Sequence, residues 1–196
     1  MATGPAGTGP GKYEKAVTLR DGSALRLRPI RRDDEDRLLA LFHRLSPYTV
    51  YLRFHHVLTE LPQSEAQRFC EIDFEDTFAL VATTGEGISE EIIGDARYYR
   101  LPTQDSAEVA VVVDDAYQGK GVGGNLLLQL AIVAQQNGIN YLEAEVLAEN
   151  QEVMSVLKYA GPQTIQHLEG HVFRVVVNIA PDLAVKQGWS QPGGAP

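Results

Sequence analysis

The stretch Glu108 to Leu128, EVAVVVDDAYQGKGVGGNLLL, decides how the rest of the chain is read. After Glu108 it runs through small and β-branched apolar residues, Val109 to Val113, which suit a buried strand. A glycine-rich turn follows, Gln118-Gly119-Lys120-Gly121-Val122-Gly123-Gly124, and that turn enters an apolar helix carrying Leu126, Leu127 and Leu128. The helix is predicted over Val122 to Gln136, where Asn137 and Gly138 supply the stop signal. Strand, glycine loop and helix N-terminus, in that order, form a phosphate-binding arrangement. The first helical turn leaves about four backbone N–H groups without partners, and the macrodipole places about half a positive charge beside them. Glycine lets an anion approach that backbone closely. Lys120 adds a cation, so Gln118 to Gly124 can cradle a pyrophosphate.

Three phosphate-binding readings compete for these residues. A nucleotide-triphosphate loop fails, because Gly119-Lys120 lacks both the glycine five residues earlier and the hydroxyl residue after it. Gly119, Gly121 and Gly124 do spell the dinucleotide fingerprint, and Glu143 lies about 20 residues further on. In that fold, however, the glycines follow their strand almost directly, whereas here Asp114 to Gln118 intervene. The third reading is an acyl-CoA pyrophosphate loop.

That third reading rests on a resemblance. Gln118-x-x-Gly121-x-Gly123, following Val-Val-Val-Asp and leading into Val122, Leu126, Leu127 and Leu128, resembles the CoA loop of the GNAT superfamily of N-acetyltransferases. A second stretch, Ala148-Glu149-Asn150 through Lys158 and Gly161, is similar to another motif of that superfamily, with Asn and Gly eleven residues apart. The segment Ser46-Pro47-Tyr48-Thr49-Val50-Tyr51-Leu52-Arg53-Phe54 resembles one found in bacterial protein-lysine acetyltransferases, and Glu108 sits ten residues before Gln118, where those enzymes keep a catalytic glutamate. The resemblance implies acetyl-CoA as co-substrate, held by Ala110, Val111, Val112, Gln118, Gly119, Lys120, Gly121, Val122, Gly123, Gly124 and Asn150. It also implies pantetheine lying along a sheet that splays between the strand ending at Val113 and the strand beginning at Tyr141. Glu108 is then the general base, and the acceptor is a protein lysine or a small amine. The tyrosine that many members carry seven residues after the Asn is Leu157 here, and the usual Gly-Phe is Gly161-Pro162. A domain that senses acyl-CoA without turnover is the reading from another class.

Outward from this centre, the fold implied is mixed α/β, a mostly antiparallel sheet splayed in its middle with helices on both faces. Strands are expected at Leu25 to Ile30, Thr77 to Thr83, Ile92 to Arg100, Glu108 to Val113 and Tyr141 to Leu147, with a closing hairpin of Thr164 to Leu168 and Val172 to Asn178 turning at Glu169 and Gly170. Helices are expected at Asp34 to Leu45, Tyr48 to Phe54, Ser64 to Ile72 and Gln151 to Tyr159. The ends, Met1 to Gly11 and Trp189 to Pro196, are rich in Gly, Pro and Ala and read as disordered. The domain is accordingly bounded at residues 15–181, with tails at 1–14 and 182–196.

Composition narrows the function classes. The chain has 196 residues and a formal charge of −9, which speaks against non-specific nucleic-acid binding. Its single cysteine, Cys70, excludes an internal disulfide, fits a reducing compartment and reads as a small apolar side chain on a helix. No apolar stretch is long enough for a membrane span and no signal-peptide core is present, so a cytoplasmic protein without membrane contact is expected. No metal-ligand spacing occurs, and no metal is expected. Among the remaining charged residues, Arg26, Arg28, Arg31 and Arg32 read as a solvated strand face, and Asp33 to Asp36 as a helix-cap cluster. Asp114 and Asp115 suit either attraction of a cation or a loop role, while His55 and His56 suit either an acceptor groove or the solvent.

Overall fold

The computed structural model describes residues 13–19, 21–103, 105–160, 162–167 and 170–179. Residues 1–12 of the expected N-terminal tail, the whole expected C-terminal tail, Gly161 of the second motif, and Leu168 and Glu169 of the hairpin lie outside these, as do the side chains of 158–160, while Tyr13 is described and packs into the core. In chain order the elements are β1 (Lys15–Thr18), β2 (Ala24–Pro29), α1 (Glu35–Arg44), α2 (Pro47–Phe54), α3 (Gln63–Cys70), β3 (Thr77–Thr84), β4 (Glu91–Arg100) and β5 (Ser106–Val113). They continue with α4 (Val122–Gln136), β6 (Tyr141–Leu147), α5 (Gln151–Ala160), β7 (Gln163–His167) and β8 (Val172–Asn178). Every expected element is present, with ends shifted by one or two residues. One was not expected: β1 is four mostly exposed residues at a sheet edge, too short and too polar to register as a periodic pattern.

The eight strands form one sheet in the order β1-β2-β3-β4-β5-β6-β8-β7. All neighbours are antiparallel except β5 and β6, which run parallel and pair over only three positions: Ser106 with Tyr141, Ala107 with Leu142 and Glu108 with Glu143. Beyond Glu108 the two strands part. A parallel, doubly wound sheet is thereby ruled out, and the dinucleotide reading with it. Helix α4 covers one face, burying Leu126, Leu130 and Ala134 against Leu80, Ile93 and Val109. Helices α1 and α3 cover the other, with Leu38, Leu41 and Cys70 against Ala79, Val81 and Ile92. Gly94 sits where α4 crosses β4, and a Cβ there would lie 3.0 Å from Leu126 Cδ1 and 3.2 Å from the Val112 carbonyl. The close seating of α4 on the sheet thus requires a residue without a side chain. Burial also pushes the Cys70 thiol up to about 12, so it behaves as the inert apolar group expected of it.

The arginine face is corrected by the structure. Arg26 is exposed, but Arg28 is fully buried: its Nη1 and Nη2 donate to Asp34 Oδ2 and Oδ1 at 2.6 and 2.8 Å, and its Nε and Nη2 donate to Glu90 at 3.1 Å. Asp34, expected in a cap cluster, makes no side-chain cap for α1 and instead completes this buried pair. Burial works to raise the Asp34 pKa, but hydrogen bonds from Arg28 and the Arg31 amide outweigh it and hold the carboxyl below its usual range. Asp34→Ala should cost about 3–5 kcal/mol, the scale for stripping one partner from a buried ion pair. That corresponds to a fall of roughly 6–20 °C in melting temperature for a chain of this size. Because the folded pKa is depressed, the stabilisation is present above the unfolded value near 3.9 and disappears as pH falls through the folded one. Melting curves of parent and variant should therefore differ by a constant amount from neutral pH down to about pH 5 and converge in stronger acid.

Candidate active site

Parting of β5 from β6 leaves the backbone of Ala110 to Val113 paired with β4 on one side and free of strand partners on the other. The opening is a channel of about 790 Å³, walled by Val111, Val112 and Val113 of β5, by Gln118, Gly119 and Gly121 to Gly124 at the head of α4, and by Asn150 and Val153 of the β6–α5 corner. Gly121 stands immediately before α4 with φ +92°, and Gly119 has φ +70°; both are left-handed conformations that favour glycine. The Asn125 amide is the first in the helix to find a turn partner, donating to the Gly121 carbonyl at 3.1 Å. The amides before it face the channel head without intrahelical partners, as an anion seat requires. A Cβ on Gly123 would come no closer than 3.5 Å to Val113 Cγ2, so its glycine is not needed for packing within the protein. The residues therefore fit a bulky phosphate-bearing ligand laid along the split.

Four of the expected donor-binding residues sit differently from the rest. Lys120 does not line the channel; its Nζ lies 3.6 Å from Asp21 Oδ2 and 5.2 Å from the Tyr117 ring centroid. Ala110 lines the neighbouring cavity instead. Gln118 lines the channel, but its Nε2 already donates to the Val113 carbonyl at 3.0 Å and to Thr49 Oγ1 at 3.2 Å. Asn150 likewise uses Oδ1 to accept from the Val153 amide at 3.2 Å, fixing the start of α5 at the channel wall.

The second cavity, about 220 Å³, adjoins the first and is lined by Glu108 to Val111 of β5, by Ala144 to Val146 of β6, by Leu52 to Phe54 of α2 and by His55 just after it. Leu52, Arg53, Val111, Leu127, Asn150 and Val153 line both spaces and mark where they meet. Glu108 is exposed and occupies the last paired position before the strands separate, opposite Tyr99 on β4 and Glu143 on β6. Its carboxylate has no hydrogen bond or ion pair among the described residues. Glu145 lines the same cavity, and Leu157 closes its floor at the position of the absent tyrosine. Of the two histidines, His55 reaches this cavity, held at φ 59° as its amide caps α2 on the Tyr51 carbonyl at 2.8 Å. His56 turns back to the Phe54 carbonyl instead.

The aspartates after β5 hold the site together. Asp114 accepts from Arg44 Nε at 2.7 Å and from the Ala116 amide at 3.0 Å. Asp115 accepts from the Ser46 amide at 2.9 Å, from Ser46 Oγ at 2.7 Å and from Thr49 Oγ1 at 2.8 Å. Burial works to raise the Asp115 pKa, and these bonds prevail and lower it. With Gln118 on Thr49, the phosphate loop and α2 are joined through a single hydroxyl-carboxylate cluster. Sequence reading named Gln118 for the cofactor and Asp115 for a cation or a loop role, but it singled out neither Arg53 nor the joining of these residues through Ser46 and Thr49; the signal there was the likeness of the Ser46 to Phe54 segment as a block.

A sheet split beside an anion-binding helix terminus, with a carboxylate at the fork, defines an acyl-CoA-dependent N-acyltransferase class of protein. The chain belongs to the GNAT acetyltransferase family, whose domain matches residues 24–163. It is 31% identical over 133 residues to an acetyltransferase of Pseudomonas aeruginosa, an alignment covering 68% of this chain and 72% of that one. It is 33% identical over 146 residues to acetyltransferase Pat of Mycolicibacterium smegmatis, covering 74% of this chain but only 43% of that longer protein. The crystal structure of the GNAT domain of S. lividans PAT superposes with a TM-score of 0.78 at 36% identity, covering 86% of this chain and 98% of that domain. Among the described residues, no group of His, Cys, Asp and Glu side chains could hold a metal ion, and no helix is long and apolar enough to cross a membrane.

Proposed function

We propose that the protein transfers an acetyl group from acetyl-CoA to the side-chain amine of a protein lysine by direct attack, with Glu108 as general base. One observation carries this reading: Glu108, whose carboxylate has no partner among the described residues, stands at the fork of β5 and β6 and lines the smaller cavity that adjoins the donor channel. The first-turn amides from Gly121 to Gly124 would hold the pyrophosphate, and the free backbone edge of Ala110 to Val112 would orient the pantetheine amides and polarise the thioester carbonyl. A lysine with pKa about 10.4 arrives protonated near pH 7, and removing that proton costs roughly 4.6 kcal/mol. Glu108 and Glu145 present negative charge to such a cation. Glu108 takes the proton, the amine attacks the carbonyl carbon, and the C–S bond breaks. With Leu157 on the floor, the departing thiolate is protonated from solvent. Location in the cytoplasm belongs to this reading.

Leu157 also favours a second reading, an acyl-CoA sensor without turnover. A panel of peptides, proteins and small amines assayed for CoA release separates the two and names the acceptor. Acetyl-CoA is expected to raise the melting temperature of the intact chain, because a ligand held only by the folded state stabilises it by about 2.7 kcal/mol at one hundred times its Kd. NAD should leave the melting temperature unchanged. A shift with NAD and none with acetyl-CoA would overturn the assignment of the channel.

A further inference from the structure

Arg53 is a cation that no described carboxylate pairs with directly, although Glu108 lines the same small cavity. It extends from α2 to the junction of the two spaces and lines both of them. Among the described residues its guanidinium makes no hydrogen bond and no ion pair; its recorded contact is the face of Phe54, 4.9 Å from the ring centroid. Asp95 of β4, whose charge also acts on Arg53, is engaged by Arg97, whose Nε and Nη2 donate to it at 2.8 and 2.7 Å. Tyr99, next along that face, accepts from Arg97 Nη1 at 3.3 Å. Burial, reinforced by Arg97 and relieved only in part by Asp95, Tyr99 and Glu108, pulls the Arg53 pKa below the ordinary arginine value. A half-buried guanidinium in this state is short of negative charge. Its planar fork is matched to one kind of ligand above others, a carboxylate bound through two parallel hydrogen bonds.

Placement decides whose carboxylate that is. Glu108 and Glu145 line the smaller cavity only, whereas Arg53 borders the donor channel as well. A substrate entering through the smaller cavity passes the two glutamates, which attract an amine and repel an acid. A group delivered along the channel reaches Arg53 without passing them; of the channel's own carboxylates, Asp115 is engaged by Ser46 and Thr49, and Glu149 and Glu152 are exposed to solvent at the β6–α5 corner. The acyl carbon of a thioester lies at that junction if the donor occupies the channel and the amine the cavity, a condition inherited from the function proposed above. The methyl of an acetyl group offers a guanidinium nothing. We propose that Arg53 receives the terminal carboxylate of a dicarboxylic acyl group, so that the protein transfers malonyl- or succinyl-type groups from CoA to an amine in addition to acetyl. The reaction balances as for acetyl transfer: the amine nitrogen bonds to the thioester carbonyl carbon, the C–S bond breaks, and the ammonium and thioester give amide, CoA thiol and one proton. The terminal carboxylate is unchanged.

Succinyl-CoA, butyryl-CoA and acetyl-CoA distinguish charge from chain length when their affinities for the full chain are measured by calorimetry. Succinyl-CoA should bind at least about tenfold more tightly than butyryl-CoA, the scale of a charge-assisted pair of hydrogen bonds. Arg53→Gln should erase that ratio and Arg53→Lys should retain part of it, both variants keeping the parent's unliganded melting temperature. A lysine peptide incubated with succinyl-CoA and the parent protein should be recovered carrying the four-carbon acid, as read by mass spectrometry. Equal affinity of the parent for succinyl-CoA and butyryl-CoA overturns the inference. So does an equal loss across all three donors in Arg53→Gln, which would make the arginine a general donor or thiolate contact. An Arg53-dependent preference for free lysine over lysine amide as acceptor would assign the carboxylate to the acceptor and likewise overturn it. If acetyl-CoA itself fails to bind, the proposed function falls; if it binds and no carboxylate preference appears, only the present inference does.

Discussion

Glu108→Gln is expected to keep the parent's affinity for acetyl-CoA while losing about 10²-fold or more of its turnover at neutral pH, the scale of a missing general base. The substitution preserves size and hydrogen-bonding reach and removes the basic oxygen. Because the carboxylate is exposed and bonds to no other described group, the fold should not register the change. The pH dependence carries the argument further. A lysine acceptor needs a base only while it is protonated, so the gap between parent and variant should narrow as pH climbs toward the acceptor's pKa of about 10.4. Cofactor affinity and a pH–rate profile for both proteins on one acceptor make the test. A variant that turns over like the parent throughout would leave Glu108 an ordinary strand residue and direct attention to His55, which with Glu145 is a further titratable group at the same opening.

Replacing Gly123 with valine is expected to weaken acetyl-CoA binding by about 10²-fold or more, since two or more charge-assisted hydrogen bonds from the helix terminus would be lost. Gly123 is the informative glycine. At Gly121, with φ +92°, a side chain would strain the backbone as well as block the ligand, and loss of binding there could follow from either cause. At Gly123 the backbone is helical and the nearest protein atom to an added Cβ is 3.5 Å away, an ordinary contact. The Gly123→Val protein should therefore melt close to the parent without ligand and lose most of the shift that acetyl-CoA induces. Full retention of that shift would place the phosphates elsewhere.

The elements that position the site were legible because local chemistry marks them. Helix α4 and strand β6 have the bounds that the glycine turn, the Asn137-Gly138 stop and the apolar runs dictate. What could not be read lies in pairings between distant residues. Arg26 and Arg28 look alike on an alternating strand, and Arg28 is buried only because Glu90, 62 residues away, and Asp34 both converge on it. Ser46 and Asp115 lie 69 residues apart, so nothing near either announces their bond. The motif presents Gln118 and Lys120 as phosphate contacts, yet the structure commits the Gln118 amide to Val113 and Thr49 and turns Lys120 toward Asp21. Arg53 carried no signal of its own beyond membership of the Ser46 to Phe54 block, because an arginine late in a short helix is ordinarily solvated and only the lack of a partner among the described residues distinguishes this one.

The short parallel seam between β5 and β6 has a consequence for how the molecule breathes. Three paired positions join a five-stranded body to the β6, β8 and β7 ribbon, with α4 and α5 bracing the joint. Units joined so sparsely open below the cost of global unfolding, and their amides exchange with solvent ahead of the core. A molecule lying in the fork would contact both units and supply backbone pairing that the seam lacks. Occupancy of the fork and cohesion of the C-terminal ribbon are then one thermodynamic quantity, and the substrate acts for a time as a structural member of the sheet it is consumed in.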